Sequence, residues 1–144
     1  MRRRRVGYTD AELSVVGFGA AAVGGGRDYG YVRRDPSESV ATIIRGLECG
    51  INWIDTAPKY ANGYSEELVG RALAEWGEPV FVATKCGYPY NEETGRPMHN
   101  LKRGTILREV EESLGRLGVE RIDLYQIHWP MPDEDVEEAY RAVA

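Results

Sequence analysis

The stretch DPSESVATIIRGLECGINWID, residues 35–55, joins a helical pattern directly to a strand pattern. Asp35 and Pro36 are typical of the N-cap and first residue of a helix, and Gly50 is typical of its end. Between them, apolar residues recur at helical spacing: Val40, Ile43, Ile44 and Leu47. Ile51–Asp55 is too short and too continuously apolar for a surface helix, so it predicts a buried strand that ends in a carboxylate.

Later segments repeat this alternation of helix and strand. Helical spacing predicts a second helix capped by Ser65, a third that ends at Gly118 and a fourth that begins at Asp133. Apolar runs predict buried strands at Val80–Thr84 and Ile122–Ile127. Such alternation is typical of α/β proteins with a parallel sheet, and therefore of a doubly wound sheet or a (β/α)8 barrel.

The N-terminal segment predicts an antiparallel element ahead of these units. Val6–Tyr8 and Leu13–Val15 flank the turn-forming pair Thr9-Asp10, which indicates a β-hairpin. Val15–Ala20 predicts the first strand of the main sheet. The basic run Arg2–Arg5 indicates a solvated tail without a function of its own.

Composition excludes several classes of function. The 144 residues carry 18 Lys and Arg against 23 Asp and Glu, a net charge of −5, which gives nucleic acid no general binding surface. No apolar run approaches the ~18 residues of a membrane span. Two cysteines without a CxxC pair provide neither a disulfide framework nor a zinc site, so we expect no metal and a reducing, cytoplasmic location.

Three predicted strands end in ionisable residues: Asp55, Lys85 and His128. Because the carboxyl ends of barrel strands share one face, we expect these three side chains to converge there. An ammonium in an apolar strand needs a partner, which Asp55 supplies. Tyr60 follows five positions after Asp55 and can reach the same face, where a neighbouring ammonium favours its phenolate form and makes it a usable general acid or base.

Several separated motifs resemble those of the aldo-keto reductase family, in the family's order. The stretch Gly50–Gly70 (GINWIDTAPKYANGYSEELVG) is similar to the signature around the family's catalytic Asp and Tyr. Three further motifs are also similar to the family's: Leu13–Gly19, Val82–Lys85, and Ser113–Gly118 together with Ile122–Pro130. The resemblance covers essentially the whole chain.

This resemblance implies reduction of a small-molecule aldehyde or ketone by hydride from NADPH, with NADH not excluded. It assigns Tyr60 as proton donor, Asp55 and Lys85 as the groups that tune it, and His128 as the residue that orients the carbonyl. It also places the backbone of Gly19, Ala20 and Ala21, together with Asp55, beside the nicotinamide and its ribose.

The chain length matches only part of the implied fold. A (β/α)8 barrel takes ~250 residues, so we expect residues 1–144 to form a single domain with the first four β/α units and an N-terminal hairpin. The last helical pattern reaches Ala144 without a stop signal, which predicts truncation within the fourth helix. Two interpretations follow: a reductase, or a catalytically inactive half-barrel or non-catalytic binding module that needs a partner chain. The candidate partner is a second chain that completes the barrel.

A rival dinucleotide fingerprint lies at Gly17–Ala22, which satisfies GxGxx(G/A). A Rossmann site requires a helix across Ala20–Arg27, which Gly24–Gly26 disfavour. Two further polar residues indicate structural roles: Cys86 as a small buried side chain, and His99 as a surface residue of a polar loop.

Overall fold

The computed structural model describes residues 1–25, 35–91 and 93–144, in which four α-helices alternate with the strands of a parallel sheet. The strands are β1 (Arg3–Arg5), β2 (Glu12–Ser14), β3 (Phe18–Gly19), β4 (Trp53–Asp55), β5 (Phe81–Cys86) and β6 (Leu124–Ile127). The helices are α1 (Pro36–Glu48), α2 (Tyr64–Trp76), α3 (Arg103–Leu117) and α4 (Val136–Val143). Single 3-10 turns follow β3 and precede α4, at Ala20–Ala22 and Asp133–Asp135.

The main sheet is parallel and runs in the order β3-β4-β5-β6. The helices contact one another in the same sequence, α1 with α2, α2 with α3 and α3 with α4. Ile54 and Val82 are paired across the sheet and buried in a shared core with helical residues. In the described residues the order shows none of the reversal that defines a doubly wound sheet, so the arrangement is that of successive barrel units.

The opposite face of the sheet is open in this chain. Strand residues alternate between the two faces, and on β6 the alternation leaves Leu124 and Gln126 exposed while Tyr125 and Ile127 pack against the helices. Leu124 retains 42% of its accessible surface. The helix-covered face therefore contains the core, and the open face carries the polar strand ends.

Helix boundaries agree with the sequence pattern except at the starts of α2 and α4. The fourth helix is predicted to begin at Asp133, but Asp133–Asp135 form a 3-10 turn and α4 begins at Val136. Asp35 caps α1 as predicted, its carboxylate accepting a hydrogen bond from the Ser37 amide at 2.8 Å. The predicted cap of α2 at Ser65 is wrong, because the cap is Gly63, two residues earlier and in the left-handed region, and α2 begins at Tyr64. The Ser65 hydroxyl instead donates to the carbonyl oxygen of Ala20 at 2.8 Å, which ties the start of α2 to the end of β3.

The hairpin is present, but its first strand is displaced from the prediction. β1 pairs with β2 from Arg3 opposite Ser14 to Arg5 opposite Glu12, so the basic run forms a strand rather than a tail. The reason is a longer turn, closed by a hydrogen bond from the Val6 amide to the Ala11 carbonyl at 2.9 Å. The arginine side chains remain exposed, which suits the unpaired edge of a two-stranded sheet.

The segment after β3 does not form the helix that the rival fingerprint requires. The chain makes one 3-10 turn at Ala20–Ala22, and Gly25 then takes a φ of +63°, which interrupts any right-handed helix. Residues 26 and 27, the last two positions at which a Rossmann site would require a helix, lie outside the described residues. A Rossmann phosphate site at this turn is therefore not supported.

Candidate active site

The three ionisable strand ends converge at the carboxyl edge of the sheet. Asp55 is the last residue of β4, Lys85 is the second-last of β5, and His128 follows β6 directly. Lys85 Nζ lies 2.7 Å from Asp55 Oδ1, with side chains 14% and 30% exposed respectively. The predicted pairing of these two charges on neighbouring strands is thus present, in a position that solvent still reaches.

Lys85 directs hydrogen bonds at three acceptors. In addition to Asp55, its Nζ donates to the Thr56 carbonyl oxygen at 2.9 Å and to the Tyr60 hydroxyl oxygen at 3.3 Å. An ammonium has three N–H groups, so all of its donors are engaged. Because Tyr60 accepts this bond, its own hydroxyl hydrogen remains available to another acceptor.

A short loop between β4 and α2 carries Tyr60 to this point. The Gly63 amide closes the loop by donating to the Pro58 carbonyl oxygen at 2.7 Å. Ala61 and Asn62 take φ values of +52° and +54°, which side chains with a Cβ rarely adopt. A backbone held in this region requires support from its surroundings, and such strain is typical of functional loops.

His128 lies beside Tyr60, with the two rings edge to face and their centroids 5.7 Å apart. The His128 imidazole stacks on Trp129, with centroids 4.2 Å apart and an interplanar angle of 6°. Burial, followed by the positive charges of Lys85 and Lys59, lowers the pKa of His128 to about 4. His128 is therefore neutral at pH 7, with one ring nitrogen able to donate and the other to accept a hydrogen bond.

An aromatic cluster of Tyr88, His99, His128 and Trp129 borders this group. The Lys59 ammonium lies over two of its rings, 4.6 Å from the centroid of Trp129 and 5.0 Å from that of Tyr88. The expectation that His99 is a surface residue needs correction, because the residue is half-buried and its Nδ1 is buried with no hydrogen-bond partner among the described residues. Its ring packs 4.5 Å from that of Tyr88, since the loop after β5 folds back over the strand ends.

The residues predicted to contact a nicotinamide cofactor differ in how accessible they are in the structure. Gly19 pairs with Asp55 in the sheet, and the space above its Cα is open to beyond 4 Å, so a flat ligand can approach the backbone there. Ala20 is fully buried, and its carbonyl oxygen is occupied by Ser65. The open space at Gly19 and the partly exposed Asp55 could therefore hold a cofactor at this edge, whereas the Ala20 carbonyl oxygen already accepts a hydrogen bond.

A second charged group behind the site has no counterpart in the sequence-based expectations. Glu66 is fully buried, and its carboxylate accepts hydrogen bonds from Thr84 Oγ1 at 2.6 Å and Arg116 Nε at 2.7 Å. A signal for it exists in the sequence. Glu66 precedes Val69 by three residues and Leu73 by seven, so helical spacing puts it on the apolar face of α2, where an acid requires a buried partner.

Glu109 and Cys86 form a further buried pair under the loop that follows β5. Glu109 Oε2 accepts a hydrogen bond from the Gly87 amide at 2.8 Å, and Oε1 is buried as well. Burial raises the pKa of Glu109 to about 7 and that of Cys86 to about 12. The Cys86 thiol is thus inert and structural, as the sequence indicated.

Within the described ranges, no cluster of three or more His, Cys, Asp or Glu side chains is arranged to hold a metal ion. The helices of the same ranges are each too short or too polar to cross a bilayer.

Four parallel β/α units with polar strand ends gathered on one face define half of a (β/α)8 barrel. The sequence model of the Aldo/keto reductase family matches residues 15–144, and the chain belongs to this family. Members of this family use NAD(P)H.

Individual relatives match the chain along nearly its whole length. It is 40% identical over 140 residues to the aldo-keto reductase YhdN of Bacillus subtilis (strain 168), and 41% identical over 138 residues to the NADH-specific methylglyoxal reductase of Escherichia coli (strain K12). These alignments cover 96% and 90% of this chain but 41% and 42% of the two relatives. The chain thus spans less than half of either relative.

Solved structures also match nearly all of this chain over less than half of their own length. The glycerol dehydrogenase AKR11B4 from Gluconobacter oxydans has a TM-score of 0.85 at 41% identity, over 98% of this chain and 43% of that one. The holo form of the aldo-keto reductase AKR11C1 from Bacillus halodurans has a TM-score of 0.85 at 31% identity, over 99% and 45%. Both are (β/α)8 barrels, so the predicted fold class is confirmed for the part of the barrel present here.

Proposed function

We propose that residues 1–144 are a single domain, the first four units of a barrel, and supply the reaction centre of an NAD(P)H-dependent carbonyl reductase. The observation that carries this proposal is the set of three hydrogen bonds from Lys85 to Asp55, Thr56 and Tyr60. It leaves one phenol beside an ammonium at the carboxyl edge of a parallel sheet, where barrel enzymes have their sites.

In this proposal Tyr60 donates its hydroxyl proton to the oxygen of an aldehyde or ketone. The phenolate that remains is stabilised by the Lys85 ammonium at 3.3 Å. Asp55 holds that ammonium in place at 2.7 Å, and its partly exposed carboxylate also balances the charge of the lysine. The substrate carbon receives hydride from the nicotinamide cofactor, which is the chemistry that this cofactor supplies when bound.

His128 orients the carbonyl in the same scheme. Its pKa of about 4 keeps the ring neutral, so it offers an N–H donor to the carbonyl oxygen without competing with Tyr60 as an acid. Stacking on Trp129 fixes the plane of the ring. The aromatic cluster with Tyr88 provides an apolar wall beside the reacting carbonyl.

Gly19, Ala21 and Asp55 are the residues of this chain that would hold the nicotinamide and its ribose. The open space at Gly19 and the carboxylate of Asp55 support this part of the proposal. We propose NADPH as the cofactor, with NADH as the alternative to be tested directly, because one relative is an NADH-specific methylglyoxal reductase. Two free cysteines are compatible with a reducing, cytoplasmic location.

One observation favours a second candidate, a half-barrel that binds without turnover. Leu124 and Gln126 leave the open face of the sheet in contact with water, and a reductase site has to exclude water from the reacting carbonyl. In that case a second chain would have to cover this face before reduction occurs.

The test is NAD(P)H oxidation by the purified chain with methylglyoxal, for wild type and Tyr60→Phe. We expect Tyr60→Phe to lower kcat/KM at least about 10²-fold, because general acid catalysis contributes that much. Tyr140→Phe, on the exposed surface of α4, is the matched control and is expected to keep wild-type activity. Equal turnover in wild type and Tyr60→Phe would overturn the assignment.

Native mass spectrometry with NADPH or NADH separates the two candidates. A chain that gains cofactor mass and reduces the aldehyde supports the reductase. A folded chain that shows no turnover, whether or not it gains cofactor mass, supports the half-barrel without catalysis.

A further inference from the structure

We propose that Glu66 and Arg116 are positioning residues that hold the Tyr60 loop against Lys85. The proposal rests on the proposed function, because it concerns the distance between the proton donor and its ammonium. Both residues act from the helix-covered side of the sheet. The unit formed by Thr84, Glu66 and Arg116 is called the brace below.

Glu66 connects the strand that carries Lys85 to the helix that follows the Tyr60 loop. Its Oε1 accepts from the hydroxyl of Thr84, the residue directly before Lys85 on β5. Glu66 itself lies in the first turn of α2, three residues after Gly63 ends the loop. A movement of this carboxylate would therefore change the position of the loop relative to β5.

Arg116 supports the same loop from α3. Its Nε donates to Glu66 Oε2 at 2.7 Å, and its Nη2 donates to the buried Ser113 hydroxyl at 3.3 Å. The Arg116 side chain fills the space that a Cβ on Gly63 would need, since Cδ lies only 2.7 Å from that position. Gly63 at φ +83° is thus packed directly against the guanidinium stem.

The loop requires such support because its backbone is unfavourable in isolation. Ala61 and Asn62 occupy the left-handed region directly before Gly63, and a free chain would leave that conformation. On the other side the loop is held by Ser65, whose hydroxyl lies 3.1 Å from that of Thr56. The brace adds contacts on the β5 and α3 side, so its loss removes part of the support that keeps the Tyr60 loop beside Lys85.

The burial of this ion pair indicates that it fixes the positions of the elements it joins rather than adding to the stability of the fold. The Glu66 side chain is fully buried and Arg116 is 23% exposed, so the pair has lost much of its hydration. A hydrophobic pair of similar volume would often stabilise a fold equally well. The Glu66 carboxylate instead accepts directional hydrogen bonds from Thr84 and Arg116. These bonds fix the relative positions of β5, α2 and α3.

The test measures the Lys85–Tyr60 contact directly in the purified chain. Tyrosine labelled with ¹³C at Cζ gives a resonance for Tyr60, assigned by its loss in Tyr60→Phe, and its pH titration is recorded in wild type and in Lys85→Met. The difference between these two curves is the effect of the ammonium on the phenol. We expect Glu66→Gln, which keeps an acceptor for Thr84 but removes the charge, to move the curve at least half of the way towards Lys85→Met.

Two further variants make the result decisive. Arg116→Lys keeps the charge but not the fork of donors, and it serves if Glu66→Gln does not fold. Glu48→Gln breaks an exposed ion pair with Arg45 on α1 and is expected to leave the curve unchanged. Wild-type curves in folded Glu66→Gln and Arg116→Lys, or an equal change in Glu48→Gln, would overturn the proposal.

Turnover provides the second measurement. We expect Glu66→Gln to lower kcat more than tenfold while KM changes less than threefold, because a misplaced acid affects the chemical step. Retained turnover in Tyr60→Phe would refute the proposed function, whereas the titration would still decide whether the brace positions Tyr60.

Discussion

Thr84 and Lys85 are neighbours on β5, yet they belong to charged groups of opposite character. Thr84 points to the helix-covered face and joins Glu66, which is fully buried. Lys85 points to the open face and joins Asp55, which is 30% exposed. Alternation along one strand thus separates an acid that is fully buried, Glu66, from one that solvent reaches, Asp55, while both of their cationic partners are partly exposed.

This contrast teaches how the same chemistry serves two purposes. An acid and a base buried together form a costly unit whose members must both be present, because a single buried charge is strongly unfavourable. At the open face, water lowers the cost of an unpaired charge, so the groups there can change partners. Removing one partner from each pair and comparing the losses in stability therefore distinguishes the charges that support the fold from those available for a reaction.

The largest effect is expected from cutting the buried pair. Arg116→Met leaves the Glu66 carboxylate without its cation, and we expect a loss of about 3–5 kcal/mol in the free energy of unfolding. Lys85→Met on the open face is expected to cost about 1 kcal/mol, since Asp55 still reaches water. Urea denaturation of both variants measures the difference. Equal losses would mean that burial does not distinguish the two pairs.

A somewhat smaller effect is expected from apolar residues on the two faces. Ile54→Ala empties part of the core beneath α1 and α2 and is expected to cost about 2–4 kcal/mol. Leu124→Ala removes a half-exposed side chain from the open face and is expected to cost less than about 1 kcal/mol. Denaturation midpoints at constant m-value test this. A large loss in Leu124→Ala would show that the open face is covered in solution.

The smallest effect concerns how the free energy of unfolding depends on pH through Glu109 on the helix-covered face. The pKa of Glu109 is raised from 4.5 to about 7, so the folded state binds more protons than the unfolded state between these values. Its contribution to stability is complete below about pH 4.5 and is lost as pH rises through about 7. His128 has a lowered pKa and contributes in the opposite direction, gaining stability as pH rises from about 4 to 6.5.

Glu109→Gln removes the first contribution and leaves the second. Relative to wild type, the variant is therefore expected to gain about 1–3 kcal/mol in unfolding free energy between pH 5 and pH 8. Urea denaturation at the two pH values measures this gain, and Glu111→Gln on the exposed side of α3 is the control. Parallel pH profiles for Glu109→Gln and wild type would contradict the assigned shift.

The sequence predicted the repeating helices and strands because the spacing of apolar residues along the chain is enough to define them. Helical spacing in α1 and α3 and the apolar runs at β4 and β5 are local properties, and Asp35 and Gly118 mark boundaries by their own backbone preferences. The hairpin was displaced because its register depends on a hydrogen bond across the turn, between Val6 and Ala11, which no local pattern encodes.

The candidate site was predicted to a similar extent. Asp55, Lys85 and His128 follow from strand ends, and parallel topology then brings them together. Glu66 and Arg116 were not predicted, because their contact joins α2 to α3 and requires the packing of two helices. The burial of His99 depends on how the loop after β5 folds back, which spacing does not specify.

The three hydrogen bonds of Lys85 also have an entropic consequence. Fixing a lysine side chain costs about 1.5–2 kcal/mol in lost rotamer freedom. Here that loss occurs on folding, because Asp55, Thr56 and Tyr60 already restrict the side chain. A molecule that arrives at the Tyr60 hydroxyl therefore meets an ordered ammonium, and its binding energy is not consumed in arranging one.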